Sequence, residues 1–343
     1  IQTAAGVTFI SGESEFDAER LQLLKNIGDG AFALNASLDN STSSDTVLSL
    51  KRKKGTNQKQ VPIHSSGEGK ALYLSGRVEL STSNQPQIIH SDSKGRNVIR
   101  TGSEADTVVL YDNLNTVSLG AGEDDLHLLA NSTGNNISLG TIDGSDSEVD
   151  HLYLYVQTYS AQPADGLATN TISYFDASID RINLVNLDDQ SELRLEINEA
   201  YSRILIDDKA VLRLDGLFEH QELQNSIISE FRDVDQKQAI ADRGLVVVGI
   251  MPDLPGTSFR EPDGHWDGYN IHMARAISEQ LTGSPDRLAL LPSNSIHKAI
   301  SSVSDGSVDL GLYGMTSTIG RDVSNSIDFS LPYLVDTQGL LTH

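Results

Sequence analysis

The sequence contains no cysteine in its 343 residues. That absence excludes disulfide scaffolds, zinc sites with thiolate ligands and cysteine nucleophiles together. Long apolar runs are missing as well. The longest convincing one, from Leu245 to Met251, has the length of a buried strand, whereas a bilayer span needs about 20 residues. We therefore expect no transmembrane segment.

Basic residues are scarce, with 25 Lys and Arg against 48 Asp and Glu, which gives a formal net charge of -23 at pH 7. The densest basic run is only Lys51 to Lys54. Because binding to a phosphate backbone depends on clustered Lys and Arg, nucleic acid is not an expected partner. With 38% apolar residues, the composition is that of a globular protein.

The common signatures of catalysis are also missing. The nine histidines are scattered, without the spacing His-Glu-x-x-His of a metal site. The sequence has no Gly-x-Ser-x-Gly nucleophile turn and no phosphate-binding loop. We therefore expect a protein that is not an enzyme.

A repeated phrase marks the first two thirds of the chain. It runs from Asn97 to Gly102, from Asn115 to Gly120 and from Asn135 to Gly140, at spacings of 18 and 20 residues. Each glycine is followed by an acidic turn and a further apolar strand. Two strands and two turns per repeat predict one coil of a β-solenoid, so we assign residues 61–216 to a domain resembling a β-solenoid or β-roll.

The segment Gly120–Leu126, Gly-Ala-Gly-Glu-Asp-Asp-Leu, resembles the core of the calcium-binding nonapeptide repeats of RTX proteins, and the resemblance extends over residues 97–155. In that family, carboxylates and turn carbonyls supply oxygen ligands to calcium. By resemblance, Asp106, Asp124 and Asp150 are the candidate metal ligands, and calcium is the one cofactor that the sequence suggests. The alternative is a set of solvated acidic turns on a metal-free solenoid.

Two stretches carry weaker patterns. Residues 1–60 are mixed, with Phe16, Leu21, Leu24 and Ile27 on one face of a short helix. Apolar residues at spacings of 3 and 4 predict a helical linker over residues 217–242.

Residues 243–343 have the order strand, loop, helix, strand, helix, strand, which predicts a parallel α/β layer. The first helix is predicted from Tyr269 to Leu281 and ends at Gly283. The second helix is predicted to begin at a cap formed by Asn294 or Ser295. The predicted strands are 245–250, 287–291 and 308–313.

Several phrases of this region resemble, in order, lobe 1 of the periplasmic solute-binding proteins that serve polar amino-acid ABC transporters (family 3 type). The matching phrases are Gly244–Gly249, Asp253–Phe259, Asp263–Tyr269, Ser307–Leu310, Thr316–Arg321 and Ile327–Tyr333. The resemblance implies that the Arg321 guanidinium binds the carboxylate of a free amino acid or similar small zwitterion. It also implies that Thr316 assists at the carboxylate and that the Gly314 carbonyl faces the ammonium. Asp253 and Phe259 lie in the loop over the cleft, where the resemblance implies that they shape or orient the ligand.

In that family, a second lobe closes over the ligand, and no part of this sequence resembles it. We therefore expect a fragment of a longer, RTX-like polypeptide, whose second lobe or further domains are its partners. The predicted function is that of a bacterial binding protein, extracellular, on the cell surface or periplasmic, with a β-solenoid scaffold carrying an amino-acid-binding lobe. The alternative is a structural or adhesive segment whose α/β lobe binds proteins and no small molecule.

Overall fold

The structure is a computed structural model that divides into two compact units, the first extending to Asp235 and the second beginning at Gln236. It describes residues 86–93, 96–111, 113–129, 132–141, 147–156, 169–231, 235–260, 266–315, 327–331 and 333, and strands within 2–4, 7–9, 32–38, 46–52, 62–65, 71–75 and 79–82. The residues Phe16, Leu21, Leu24 and Ile27, predicted as helical, lie outside these ranges.

The described part of the first unit consists almost entirely of short strands. They are β1 (Gln2–Ala4), β2 (Val7–Phe9), β3 (Phe32–Leu38), β4 (Thr46–Arg52), β5 (Pro62–Ser65), β6 (Ala71–Ser75), β7 (Glu79–Thr82), β8 (Ile88–Ser93), β9 (Val98–Arg100), β10 (Thr107–Leu110), β11 (Thr116–Ser118), β12 (Asp125–Leu128), β13 (Asn136–Ser138), β14 (His151–Tyr155), β15 (Asn170–Ser173), β16 (Arg181–Leu187), β17 (Leu193–Ile197), β18 (Tyr201–Ile206), β19 (Lys209–Asp215) and β20 (Ile227–Phe231). One helix, α1 (His220–Ser226), precedes β20.

From β4 to β17, successive strands alternate between two sheets. The first sheet has the order β20-β16-β14-β12-β10-β8-β6-β4-β3 and the second β17-β18-β19-β15-β13-β11-β9-β7-β5. Pairing is parallel from β4 to β20 in the first sheet and from β5 to β19 in the second. Between β4 and β16, the chain therefore crosses from one sheet to the other after each strand and returns beside the strand before last.

The strand register places equivalent apolar residues in rows, one row from each sheet. The row of the first sheet contains Leu72, Ile89, Val108, Leu126, Leu152 and Ile182. The row of the second sheet contains Leu80, Ile99, Val117, Ile137, Ile172 and Leu214. All of these side chains are buried in one apolar cluster, which fills the space between the sheets.

The asparagine that opens each repeated phrase has a buried structural role. The backbone N–H of Asn97 donates to Oδ1 of Asn115 at 2.9 Å, that of Asn115 to Asn135 at 2.8 Å, and that of Asn135 to Asn170 at 3.0 Å. We call these four residues the asparagine ladder. The side chains of Asn115, Asn135 and Asn170 satisfy backbone donors that the turns would otherwise leave buried without a strand partner.

The glycine that closes the second phrase is required by close stacking. Gly120 has φ +87°, and a Cβ atom there would lie 2.0 Å from the carbonyl oxygen of Gly102. The backbone turns of neighbouring repeats therefore approach too closely for any side chain at this position.

The structure differs from the helix predicted for residues 217–242. That stretch contains α1, then β20, then a second helix, α2 (Gln236–Arg243), which belongs to the second unit. Ile227 and Ile228 are β-branched, and β20 extends the first sheet by pairing in parallel with β16. The sheets also begin earlier than residue 61, because β4 already pairs with β6.

The second unit is a mixed α/β layer with a parallel sheet, which confirms the predicted fold class for this region. Besides α2, it contains β21 (Val246–Ile250), β22 (Phe259–Arg260), β23 (Trp266–Asp267), α3 (Tyr269–Thr282), β24 (Leu288–Pro292), α4 (Ile296–Ser304) and β25 (Leu310–Leu312). The sheet order is β24-β21-β25, with both pairings parallel. Its core contains eight buried apolar residues: Ile240, Val246, Val248, Ile250, Ile271, Ala274, Leu288 and Leu312.

A buried ion pair joins α2 to the sheet. Arg243 contacts Asp309 through Nη2 and Oδ1, and each side chain is only 1% exposed. Asp309 Oδ2 accepts a hydrogen bond from the Val247 N–H at 2.7 Å, and Arg243 Nε donates to the Leu245 carbonyl at 3.2 Å. These hydrogen bonds compensate both charges for their loss of hydration.

None of the helices in the described ranges has the length and apolar character needed to cross a bilayer.

Candidate functional site

Asp253 and Gly314, two of the predicted ligand-binding residues, follow the ends of β21 and β25. The two strands are parallel neighbours with Ile250 opposite Leu312, so their carboxyl ends meet at the same edge of the sheet. The chain leaves β21 for β24 on one side and returns to β25 on the other. Ligands of open α/β sheets bind at this kind of switch point, outside the carboxyl ends of the strands.

The loop after β21 is a tight turn fixed by its own backbone. Leu254 and Ser258 exchange hydrogen bonds at 2.9 and 3.0 Å, and the buried Ser258 hydroxyl donates to the Met251 carbonyl. Asp253 sits at φ +60° with an exposed side chain. Aspartate is one of the few residues that tolerate the left-handed region. The turn therefore presents the Asp253 carboxylate to solvent at the end of β21.

The first residues of α3 hold this loop in place. The N–H groups of Tyr269 and Asn270 donate to the carbonyls of Gly256 and Thr257 at 3.1 and 2.8 Å. Gly268 is required here, because a Cβ atom on it would lie 2.5 Å from the Thr257 oxygen. The loop and the start of α3 are thus one hydrogen-bonded assembly.

Asn270 connects that assembly to β25, a role that the sequence did not reveal. Its side chain is buried, and Nδ2 donates to the Leu312 carbonyl at 3.0 Å. A buried amide is stabilised only when it is hydrogen-bonded, so Asn270 fixes the distance between α3 and the end of β25. The sequence signal that could have indicated this role was a polar amide in the first turn of a predicted helix, next to its apolar face.

Tyr313 is a second residue that the sequence did not single out. Its ring packs on the two strand glycines, since a Cβ atom on Gly249 or Gly311 would lie 1.8 or 2.5 Å from Tyr313 atoms. The hydroxyl hydrogen-bonds Ser302 at 2.8 Å, and burial raises the pKa of Tyr313 above its ordinary value. Glycines inside two adjacent strands were the available signal, because they often mark such a close approach.

Two tyrosines form an aromatic surface beside this edge. The rings of Tyr269 and Tyr333 stack with centroids 6.3 Å apart and an interplanar angle of 12°. Tyr269 is half exposed, while burial raises the pKa of Tyr333. An exposed aromatic face next to polar loop groups is typical of small-molecule sites.

The structure describes three of the five predicted ligand-binding residues. Asp253 follows β21, and Gly314 follows β25 at φ +63°, with open space at its Cα. Phe259 is half-buried in β22, opposite Asp267 of β23. Thr316 and Arg321 lie outside the described residues, so their roles stay predictions.

In the first unit, the predicted metal ligands form a second buried ladder. The N–H of Gln87 donates to Oδ1 of Asp106 at 2.7 Å, that of Asp106 to Asp124 at 2.8 Å, and that of Asp124 to Asp150 at 3.1 Å. Asp150 in turn donates its N–H to Asp180 at 3.1 Å. We call these aspartates the aspartate ladder. These aspartates therefore recur in the sequence for the same structural reason as the asparagines: their side chains accept hydrogen bonds from buried backbone N–H groups of the neighbouring turn.

Metal binding by these residues stays a prediction. Within the described ranges, no group of three or more His, Asp or Glu side chains is arranged to hold an ion. Asp106, Asp124 and Asp150 are all fully buried. The structure brings them into one ladder, with one carboxylate per repeat.

Asp106 makes the first unit sensitive to pH. Burial raises its pKa from 3.8 to about 6, outweighing the N–H donors of Gln87 and Gly102 that favour the charged form. Because the pKa of Asp106 is higher in the folded than in the unfolded state, its protonated form favours folding. This contribution to the unfolding free energy is complete below about pH 4 and is lost as the pH rises through 6.

We expect Asp106→Asn, which keeps the Oδ1 acceptor, to remove this dependence. Relative to the wild type, the variant should gain up to about 3 kcal/mol of unfolding free energy between about pH 4 and pH 7, measured by urea denaturation. Asp208→Asn, at a side chain 85% exposed, serves as control and should show no such trend. A constant difference between wild type and Asp106→Asn across the range would contradict the assignment.

Comparison with known proteins agrees with the geometry of the second unit. Residues 246–343 match the family of bacterial extracellular solute-binding proteins, family 3, whose members are binding proteins and not enzymes. The match confirms the resemblance predicted for this region, and it gives no support to RTX repeats in the first unit.

Three curated relatives are named as amino-acid-binding proteins or as a putative one. The chain is 28% identical over 105 residues to the putative amino-acid ABC transporter-binding protein YhdW of Escherichia coli K12, covering 31% of this chain and 30% of the relative. It is 24% identical over 99 residues to the general L-amino acid-binding periplasmic protein AapJ of Rhizobium johnstonii, covering 29% of each chain. It is also 24% identical over 101 residues to the glutamate/glutamine/aspartate/asparagine-binding protein BztA of Rhodobacter capsulatus, covering 29% of this chain and 30% of the relative.

The chain thus spans about a third of the length of the curated relatives it matches. No solved structure matches it.

Proposed function

We propose that the second unit is the first lobe of an exported bacterial protein that binds free polar amino acids or similar small zwitterions, without catalysis. The observation that carries the proposal is the edge formed by β21 and β25. There the Asp253 turn, the start of α3 and Gly314 converge, within the very segment that matches the solute-binding family.

The chemistry of the ligand explains the residues assigned to it. A free amino acid offers a carboxylate, and the planar guanidinium of Arg321 can donate two parallel hydrogen bonds to it, which a lysine cannot do. Thr316 adds a hydroxyl to the same carboxylate. The Gly314 carbonyl and the Asp253 carboxylate supply acceptors for the ammonium, while Phe259 shapes the loop beside them.

We infer further that the first unit is a β-solenoid that serves as a scaffold. Three observations support this: strands alternate between two sheets, pairing is parallel from repeat to repeat, and equivalent residues form buried rows. Each coil then buries its apolar edge only against its neighbours. The comparisons favour the binding protein over the structural or adhesive alternative.

Titration calorimetry with a panel of polar amino acids tests the binding proposal. We expect heat from at least one amino acid with the wild-type chain, and loss of that heat in Arg321→Ala. Arg321→Lys should weaken binding at least about tenfold, because it keeps the charge but loses the two-pronged geometry.

Lys298→Ala is the matched control, since it removes one positive charge from an exposed position on α4. It should bind as the wild type does. Because a lone lobe binds weakly without its closing partner, the titration should also use the chain joined to the second lobe of a family 3 protein. No heat from either protein, or equal heat from wild type and Arg321→Ala, would reject the proposal.

A further inference from the structure

A polar cavity opens on the second sheet of the first unit, far along the chain from the amino-acid site. Its volume is about 350 Å³. Side chains of β11, β13, β15, β18 and β19 line it, together with the turn residues Leu114, Gly134 and Thr169. Small-molecule sites start at about this size.

The strand register builds the floor of this cavity. Thr116 lies opposite Asn136, Asn136 opposite Thr171, Thr171 opposite Arg213, and Arg213 opposite Arg203. We call these five residues the polar row. They stand on the face of the sheet opposite to the buried apolar row, and neighbouring strands are about 4.8 Å apart. The polar row therefore presents hydroxyl, amide and guanidinium groups at regular intervals.

The positive end of the row is unusual in so acidic a chain. Arg203 and Arg213 face each other directly across two antiparallel strands, an arrangement that like charges disfavour. Asp215 and Glu196 each pair with one of these arginines, and an anion that contacts both guanidinium groups would offset the repulsion that remains.

Neighbouring groups hold both arginines in position. The Tyr201 ring lies 4.9 Å from the guanidinium carbon of Arg203 and 4.5 Å from that of Arg213. Asp215 Oδ1 accepts a hydrogen bond from Arg213 Nε at 3.0 Å and lies 2.9 Å from its Nη2, and Glu196 Oε2 lies 3.9 Å from Arg203 Nη1. These contacts use some of the N–H donors of each guanidinium and fix its plane. The remaining N–H groups of each side chain can donate to a ligand.

We propose that this cavity binds an acidic saccharide through its carboxylate and hydroxyl groups. The carboxylate lies against Arg203 and Arg213, where charge-assisted hydrogen bonds are strongest. The sugar hydroxyls bond with Thr171, Asn136 and Thr116, whose side chains both donate and accept. A neutral sugar lacks the carboxylate that the two arginines bind. An inorganic anion lacks the sugar hydroxyls that would bond with the other three residues of the polar row.

Calorimetry on the full chain tests this inference with D-galacturonate, D-galactose and inorganic phosphate as probes. We expect galacturonate to bind at least about tenfold more tightly than either galactose or phosphate. A galacturonate trisaccharide distinguishes a free sugar acid from a polysaccharide residue: tighter binding of the trisaccharide indicates that the natural ligand is a polymer, and equal binding indicates the free acid.

Variants identify the residues. Arg203→Gln and Arg213→Gln should each lower galacturonate affinity at least about tenfold. Arg194→Gln is the control, because Arg194 lies on the same hairpin in exposed ion pairs with Glu196 and Asp208 and does not line the cavity. If either arginine variant melts at a lower temperature than the wild type, Asn136→Ala replaces it, because the Asn136 side chain is exposed. The affinity of Asn136→Ala for galacturonate should fall, while its melting temperature stays unchanged.

The proposal is overturned if galacturonate gives no heat, if galactose or phosphate binds as tightly, or if all the variants that fold bind galacturonate as the wild type does. Arg321→Ala should leave galacturonate binding unchanged, so this result is independent of the amino-acid site.

Discussion

Asn135→Ala is expected to lower the unfolding free energy of the first unit by about 3 to 5 kcal/mol, because it removes a buried hydrogen-bond hub. Oδ1 of Asn135 accepts from the backbone N–H and the side-chain amide of Asn115, at 2.8 and 3.0 Å. Its own amide donates to Asn170 at 2.9 Å and to Ser132 at 3.0 Å. Alanine leaves the two donors of Asn115, a residue that is only 1% exposed, without this acceptor.

The next residue provides the matched control for this experiment. Asn136 has the same side chain but is exposed, so Asn136→Ala should change stability by less than about 0.5 kcal/mol. Urea unfolding gives the free energies, and hydrogen exchange in β11, β13 and β15 assigns the loss to the first unit. Equal stabilities for the two alanine variants would show that the asparagine ladder carries little of the stability.

Asp309→Ala should destabilise the second unit by about 3 to 5 kcal/mol, because it leaves the buried Arg243 guanidinium without its counter-charge. It also removes the acceptor of the Val247 N–H. Exchange protection of β21 and β25, together with urea unfolding, measures the effect on this unit alone.

Two comparisons separate the buried charge from a general loss of side-chain contacts. Asp208→Ala breaks a 3.0 Å ion pair with Arg194 at a side chain 85% exposed, and it should cost less than about 1 kcal/mol. The double variant Arg243→Met and Asp309→Leu should recover much of the lost stability, because an apolar pair needs no compensation for lost hydration. If the double variant is less stable than Asp309→Ala, the buried charge is not the cause.

The local patterns of the chain predicted much of the fold. The repeated phrases located Ile99, Val117 and Ile137, which the register places in one buried row. In the second unit, helix α3 begins at Tyr269 as predicted and ends at Thr282, before Gly283 in the left-handed conformation. These features follow from periodicity and capping, which are properties of neighbouring residues.

Features that depend on distant pairing could not be predicted. Asn115 and Asp106 lie in segments that have the composition of solvated turns. Only the stacking of one turn on the next buries their side chains. The residues 227–231 have helical spacing, yet they form a strand because β16 offers an edge. The polar row also depends on distant pairing and could not be predicted, because segments of unequal length separate Thr116, Asn136 and Thr171 in the sequence.

The strand ends before Asp253 and Gly314 could be predicted because apolar runs mark them, while the ligand-binding roles of both residues stay predictions. The sequence could not reveal Asn270 or Tyr313. Their importance comes from contacts with the Leu312 carbonyl and with the glycines of two different strands.

The hairpin formed by β17 and β18 determines how the second sheet terminates. Strand β18 pairs antiparallel with β19 and so occupies the hydrogen-bonding edge that a further repeat, or another molecule, would otherwise use. The outermost strand carries Arg194 and Glu196, and exposed charges of this kind discourage edge-to-edge association. At this end of the second sheet, a neighbouring molecule would therefore meet a charged hairpin strand and not the free edge of a parallel strand.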